Sequence, residues 1–229
     1  MIISIQQPEH LPWLGYFDKF RQVDLVVFLD NVQFKKRYFE NRNRIRNKNG
    51  EIWLTVPVKT KGRYTQRIMD VEIDNTRDWR RTIWQTLIQE YKCAPFWEQY
   101  ADYWKEYYQR DWDMLVDMNI EAIQWIATQL GVSRPTVRSS TIETHGNSTE
   151  LLVSICQSMG AHAYLSGAFG RDYLDSKLFD QAGIELRFQD FHHPTYTQLH
   201  EPFVPGMSSI DFLFNEGPKW VALYKESEQ

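Results

Sequence analysis

The chain has 229 residues, a formal net charge of -4 and an isoelectric point of about 5.9. That length suffices for one large α/β domain, and the acidic balance argues against general nucleic-acid binding. Two cysteines, Cys93 and Cys156, are too few for a disulfide framework or a zinc motif, and no apolar run approaches the roughly 20 residues that span a bilayer.

A reducing cytoplasm is the compartment expected from this cysteine usage. The N-terminus lacks a basic segment ahead of a long apolar run, so no signal peptide is expected. Charge is uneven: basic residues prevail from Lys35 to Arg67 and acidic ones from Glu98 to Glu121. An anionic ligand is therefore expected at one end of the molecule.

Residues 1–5 are apolar but for Ser4 and mostly β-branched, which predicts a strand buried on both faces in a parallel sheet. Gln6, Gln7, Pro8 and Pro12 then break it into a rigid loop. Leu14, Phe17 and Phe20 mark a helix, and Leu25 to Leu29 a second strand ending at Asp30. Strand, helix and strand make a βαβ unit, whose ligands sit beyond the carboxyl ends of the strands. Gln6, Gln7, His10, Asp30 and Gln33 all fall at that end.

Arg42–Arg46 and Glu51–Val58 read as a hairpin, because Asn47-Lys48-Asn49-Gly50 between them tolerates positive φ. Arg42, Arg44 and Arg46 share one face of it. With Asn41 they are expected to form an anion site that borders one pocket with Gln6, Gln7, His10 and Asp30. A polar basic loop follows, then a short strand over Ile68 to Ile73. Residues 77–131 form a helical block, with stripes at Trp79, Ile83, Leu87 and Tyr91 and at Leu115, Met118, Ala122, Ile126 and Leu130. This block either covers the sheet or makes a sub-lobe of a single domain spanning 1–229.

The last third returns to α/β alternation. A helix with Leu151, Leu152, Ile155 and Cys156 on one stripe ends at Gly160. A strand at Ala163 to Ser166 follows, then the loop Gly167 to Gly170, a helix to Ala182 and a strand at Ile184 to Phe188. The loop is expected to expose N–H groups at a helix N-terminus, a ready anion site. It lacks a Walker lysine and the G-x-S-x-G form, so Ser166 has no legible activating base. Pro-rich loops and a helix from Ile210 to Asn215, stopped by Gly217-Pro218, close the chain. The fold class expected is α/β: a mostly parallel sheet of βαβ units with an inserted β-hairpin and a central helical block. His192, His193 and His200 match no metal-ligand spacing, and Cys156 lies on an apolar stripe as a core residue would.

Five segments also carry a resemblance: QPEHLPWLGYFDKF, VVFLDNVQFKKRYFENRNRI, WLTVPV, YLSGAFGRDYLD and SSIDFLFNEG, in this order and across nearly the whole chain. Together they resemble the WbqC-like family. Members of that family tend to be encoded among genes for surface polysaccharide or related biosynthesis. The resemblance implies transfer of an acyl or aminoacyl group, glycyl-type, to an amino sugar or nucleotide-linked amino sugar.

On that reading the ligand is a small anionic molecule, such as a nucleotide sugar or an activated acyl donor. His10 or Asp30 takes a proton. Gln6, Gln7, Gln33, Asn41, Arg42, Arg44, Ser166, Gly167 and Tyr173 contact the substrate. No cofactor or metal is identified, no membrane span is expected, and a homodimer is allowed. Two other readings compete. The N-terminal layout is similar to the nucleotidylyltransferase-like α/β fold, although Trp13-Leu14-Gly15-Tyr16 stands where those enzymes carry H-x-G-H. A non-catalytic nucleotide- or sugar-binding protein would also use the aromatic surplus. Turnover separates it from an enzyme.

Overall fold

The computed structural model describes residues 1–220. Its centre is β1 (Ile2–Gln6), the apolar opening run. Helix α1 (Leu14–Gln22) carries the chain to β2 (Leu25–Phe28), which pairs with β1 in parallel, Ile3 beside Leu25 and Gln6 beside Phe28. The sheet is completed by β5 (Thr136–Arg138), β6 (Ala163–Ser166) and β7 (Glu185–Phe188). All pairings are parallel and the order is β5-β2-β1-β6-β7. The expected central position of the first strand is what is found. Both of its faces are covered, so its three isoleucines cost nothing in solubility.

Strand alternation sends side chains to two layers. Ile3, Ile5, Leu25 and Val27 pack with α5 (Ser148–Ser158) and α6 (Ser176–Gln181) on one face. Val26 and Phe28 pack on the other against Phe17 and Phe20 of α1. That second core runs on without a break into the helical block of α2 (Trp79–Tyr91), α3 (Trp97–Gln109) and α4 (Leu115–Gln129). Much of the aromatic surplus is spent there. Trp104, Tyr107 and Tyr100 are buried, and Tyr103 stacks on Trp125 at 3.9 Å.

The hairpin of β3 (Arg42–Asn47) and β4 (Gly50–Thr55) forms as expected, with Gly50 at φ 123° closing the turn. Helix α7 (Ser209–Glu216) ends at Gly217, φ 65°, where an added β-carbon would lie 2.5 Å from the Phe96 ring. Only glycine fits that stop. Asp211 of α7 is buried and accepts from Tyr91 Oη at 2.5 Å, Tyr196 Oη at 2.6 Å and Gln198 Nε2 at 2.9 Å. This pins the last helix to the block and to the Pro-rich loop.

Two local expectations differ from the structure, and one strand was not expected. Ile68 to Ile73 is a 3-10 turn at Ile68–Asp70 followed by single bridges, because its carbonyl and amide partners come from separate loops. Strand β5 was not legible, being three residues long and set after Pro135. The segment after Gly167 is a 3-10 turn over Ala168–Asp172, and α6 has only six residues. The expected helix N-terminus at that loop is therefore absent.

Candidate functional site

From β1 the chain builds outward to β2 and β5, then returns to the other side of β1 for β6 and β7. The strand order reverses between β1 and β6, and ligands of open α/β sheets bind beyond the carboxyl ends at that point. A cavity of about 480 Å³ lies there. Gln6 and Gln7 enter it from the end of β1, Glu9 from the next loop, and Tyr16 and Lys19 from α1. Leu29, Val32 and Lys35 come from beyond β2, and Ser148, Leu151 and Leu152 from α5. Tyr164, Ser166, Gly167, Phe169, Gly170 and Tyr173 close the far wall from β6 and its turn.

Glu9 and Lys19 dominate the electrostatics, and neither stood out in the sequence. Burial pushes the Glu9 carboxyl from 4.5 to about 7, against the pull of Lys19 and helped by the charge of Glu40. Burial likewise lowers the Lys19 ammonium to about 8, opposed by Glu9 and Asp18. Both groups thus change charge near neutral pH, as an acid–base pair requires. Lys19 lies beside Gly167: a β-carbon on that glycine would sit 3.9 Å from Nζ. Tyr16 donates from Oη to the Gln7 carbonyl at 3.0 Å, fixing the loop that carries Glu9. Burial and then Glu9 hold its phenol well above its ordinary value.

The rim is aromatic. Phe169 is 83% exposed and Tyr173 64% exposed. Burial and then nearby Tyr38 raise the Tyr173 phenol, and the Lys35 Nζ lies 5.3 Å from the centroid of the Tyr38 ring. Gly170 packs tightly behind the wall, for a β-carbon there would meet Ser166 Oγ at 2.1 Å and Leu174 Cδ1 at 3.0 Å. Ser166 lines the cavity, and no basic side chain hydrogen-bonds its Oγ among the described residues.

The cavity gathers Gln6, Gln7, Ser166, Gly167 and Tyr173 of the residues expected from sequence. The others lie outside it. His10 is fully buried behind the loop, its Nδ1 3.3 Å from Asn119 Oδ1, its Nε2 without a partner among the described residues and its pKa driven to about 4 by burial. Asn119 also donates to the Pro8 carbonyl at 2.9 Å and the Glu40 carbonyl at 2.7 Å. It is a single buried amide that ties α4 to both loops of the site. Asp30 is fully buried and saturated, accepting from Arg138 Nε at 2.6 Å, Ser139 Oγ at 3.0 Å, and Ser140 N and Oγ at 2.9 and 2.8 Å. It anchors β5 to the end of β2. Gln33 donates to the Tyr64 carbonyl at 3.0 Å on the surface.

The arginine face of the hairpin does not meet Asp30 in one pocket, contrary to the expectation from strand alternation. Arg42 stacks on Trp53 at 4.2 Å and donates to the Arg37 carbonyl. Arg44 pairs with Glu51 at 2.8 Å, and Arg46 donates to the carbonyls of Gly50 and Pro202 at 2.6 and 3.0 Å. An indole, a carboxylate and carbonyl dipoles relieve the repulsion that sequence alone left to an anion. Asn41 donates to the Val56 carbonyl at 2.9 Å and serves the hairpin.

Cys156 is buried, its thiol pushed up to about 12, and Cys93 is exposed; both are free. Among the described residues no cluster of three or more His, Cys, Asp or Glu could hold a metal ion, and no helix is long and apolar enough to cross a membrane.

Compared with known proteins, residues 7–222 match the family described as WbqC-like protein family. An uncharacterized protein, Rv1507c, from Mycobacterium tuberculosis is 36% identical over 217 residues, covering 94% of each chain. No solved structure matches.

Proposed function

The chain belongs to the WbqC-like protein family, and on that premise we propose that it is a transferase acting at the switch-point cavity. It moves a small acyl or aminoacyl group, glycyl-type, onto the amine of an amino sugar, free or nucleotide-linked, in surface-polysaccharide or related biosynthesis. The family resemblance supplies the substrate class. The observation that carries the chemistry is the juxtaposition of Glu9, near 7, and Lys19, near 8, in one cavity at the carboxyl ends of β1 and β6.

Amine acylation needs a base that is ionised at neutral pH and a cation near the acyl oxygen. Ionised Glu9 takes a proton from the incoming ammonium. The freed nitrogen attacks the acyl carbonyl, forming the C–N bond and an oxyanion. Lys19, beside Gly167, faces that oxyanion. Collapse breaks the bond from the acyl carbon to the leaving group, which departs with its electron pair and takes the proton from Glu9. The second nitrogen proton passes to solvent. His10 and Asp30, outside the cavity, are assigned to holding its walls.

A non-catalytic binding protein is the rival reading, favoured by the exposed rings of Phe169 and Tyr173. Incubation with an amino sugar, its nucleotide-linked form and activated glycyl donors, followed by mass spectrometry, separates them. A product heavier by one glycyl residue, lost in Lys19→Met, supports the transferase. Binding without any product supports the rival.

A further inference from the structure

The floor of the cavity holds a hydrogen-bonding pair that nothing among the described residues uses. Gln6 is 5% exposed, and neither its Oε1 nor its Nε2 has a partner among the described residues. It ends the central strand, in register with Phe28, so the backbone cannot shift to find it one. A buried amide left unpaired is costly, and such groups are retained where a ligand completes them.

The surroundings select that ligand. Ile5, Leu29, Leu152 and Tyr164 give the floor apolar walls. An amide offers one donor and one acceptor side by side in a plane. A sugar ring carries hydroxyls around its whole rim, and most would be stranded against isoleucine and leucine. A nitrogen heterocycle has two apolar faces and gathers a donor and an acceptor on one edge. Glutamine pairs with such an edge bidentately.

Positive charge also faces the cavity. Lys19 and Lys35 line it, and among the described residues neither is in ion-pairing contact with a carboxylate, although Glu9 and Asp18 pull on Lys19 and Lys35 acts on Glu40. Helix α5 starts at Ser148 on the same wall, and its N-cap residue Asn147 makes no side-chain capping hydrogen bond. A phosphate fits all three.

We infer that the floor is a nucleobase site in which Gln6 reads the edge of the heterocycle of a nucleoside phosphate. The phosphates lie against Lys19, Lys35 and the start of α5. This rests on the proposal that the cavity is the working site, and it names the carrier of one of its substrates.

Titration calorimetry of the full chain tests it, with UDP, ADP, GDP, CDP and inorganic diphosphate as probes. At least one nucleotide is expected to bind tenfold or more tightly than inorganic diphosphate. Gln6→Ala should remove most of that preference and leave diphosphate binding unchanged. Gln6→Glu, which keeps the shape but loses the amide donor, should also remove the preference, its carboxylate weakening nucleotides and inorganic diphosphate alike, and it decides the matter if Gln6→Ala fails to fold. The inference is overturned if diphosphate binds as tightly as all four nucleotides, or if both variants keep the preference. The glycyl-transfer assay is independent. A Gln6-dependent base preference without turnover sinks only the transferase reading, whereas turnover with no base preference sinks only this one.

Discussion

Replacing Glu9 by Gln should stabilise the protein at neutral pH while abolishing acyl transfer. The carboxyl of Glu9 titrates at about 7 in the folded state against 4.5 in its ordinary setting. A carboxyl raised on folding binds more protons in the folded than in the unfolded chain between those values. Its stabilising contribution is complete below the lower value and is lost as pH rises through the higher one. At about 1.4 kcal/mol per pKa unit the loss is roughly 3 kcal/mol above neutrality. Glu9 is half-buried rather than sealed, so solvent screening trims this to about 1–3 kcal/mol. Glutamine keeps the shape and removes the charge, so the variant regains that amount.

His10 runs the other way. Its folded pKa of about 4 lies below the ordinary 6.5, so its contribution is complete above 6.5 and lost as pH falls through 4. The two windows overlap and flatten the wild-type curve; Glu9→Gln exposes the His10 slope. Urea unfolding of both proteins, from about pH 5 to about pH 8, reads the difference from the midpoints at constant m. The gain should grow by roughly 2 kcal/mol across that range. A variant less stable than wild type at neutral pH, or a gain independent of pH, would refute the reasoning. A site residue that costs stability when charged is the expected mark of function.

Asn119→Ala strands the carbonyls of Pro8 and Glu40 and the His10 ring; it should cost about 3–5 kcal/mol in urea unfolding, and a loss below about 1 kcal/mol would show that water replaces the amide. Arg42→Ala should leave the affinity for inorganic diphosphate unchanged by calorimetry and cost about 1 kcal/mol through the lost Trp53 stack. A large drop in affinity would return the anion site to the hairpin. Gly170→Ala must turn Ser166 Oγ aside and crowd Leu174, costing about 1–3 kcal/mol; thermal melting checks the cost and ligand titration the change in cavity shape.

The two βαβ units were legible because each rests on local signals. Ile2, Ile3 and Ile5 make an apolar run, Leu14, Phe17 and Phe20 repeat at helical spacing, and Gly183 and Gly217 stop the helices that precede them. Gln6, Gln7, Ser166, Gly167 and Tyr173 could be placed at the site because both strands before them end on one side of a parallel sheet. His10 and Asp30 stood at the same strand ends and looked equally available. Their burial depends on Asn119, Arg138 and Ser139, more than a hundred residues away.

Sequence by itself thus determined the strand and helix periods, the strand ends and the family pattern, since these depend on neighbours within a few positions. Tertiary structure alone decided which polar side chains find partners. Arg42 and Arg44 found Trp53 and Glu51 across a hairpin, and Asp30 found a complete set of donors. Gln6 found none. Glu9 and Lys19 look like ordinary surface charges in a linear reading. Their shifted pKa values arise from desolvation, which the pull of each on the other only partly offsets, and that desolvation exists only once β1, α1 and β6 enclose the same cavity.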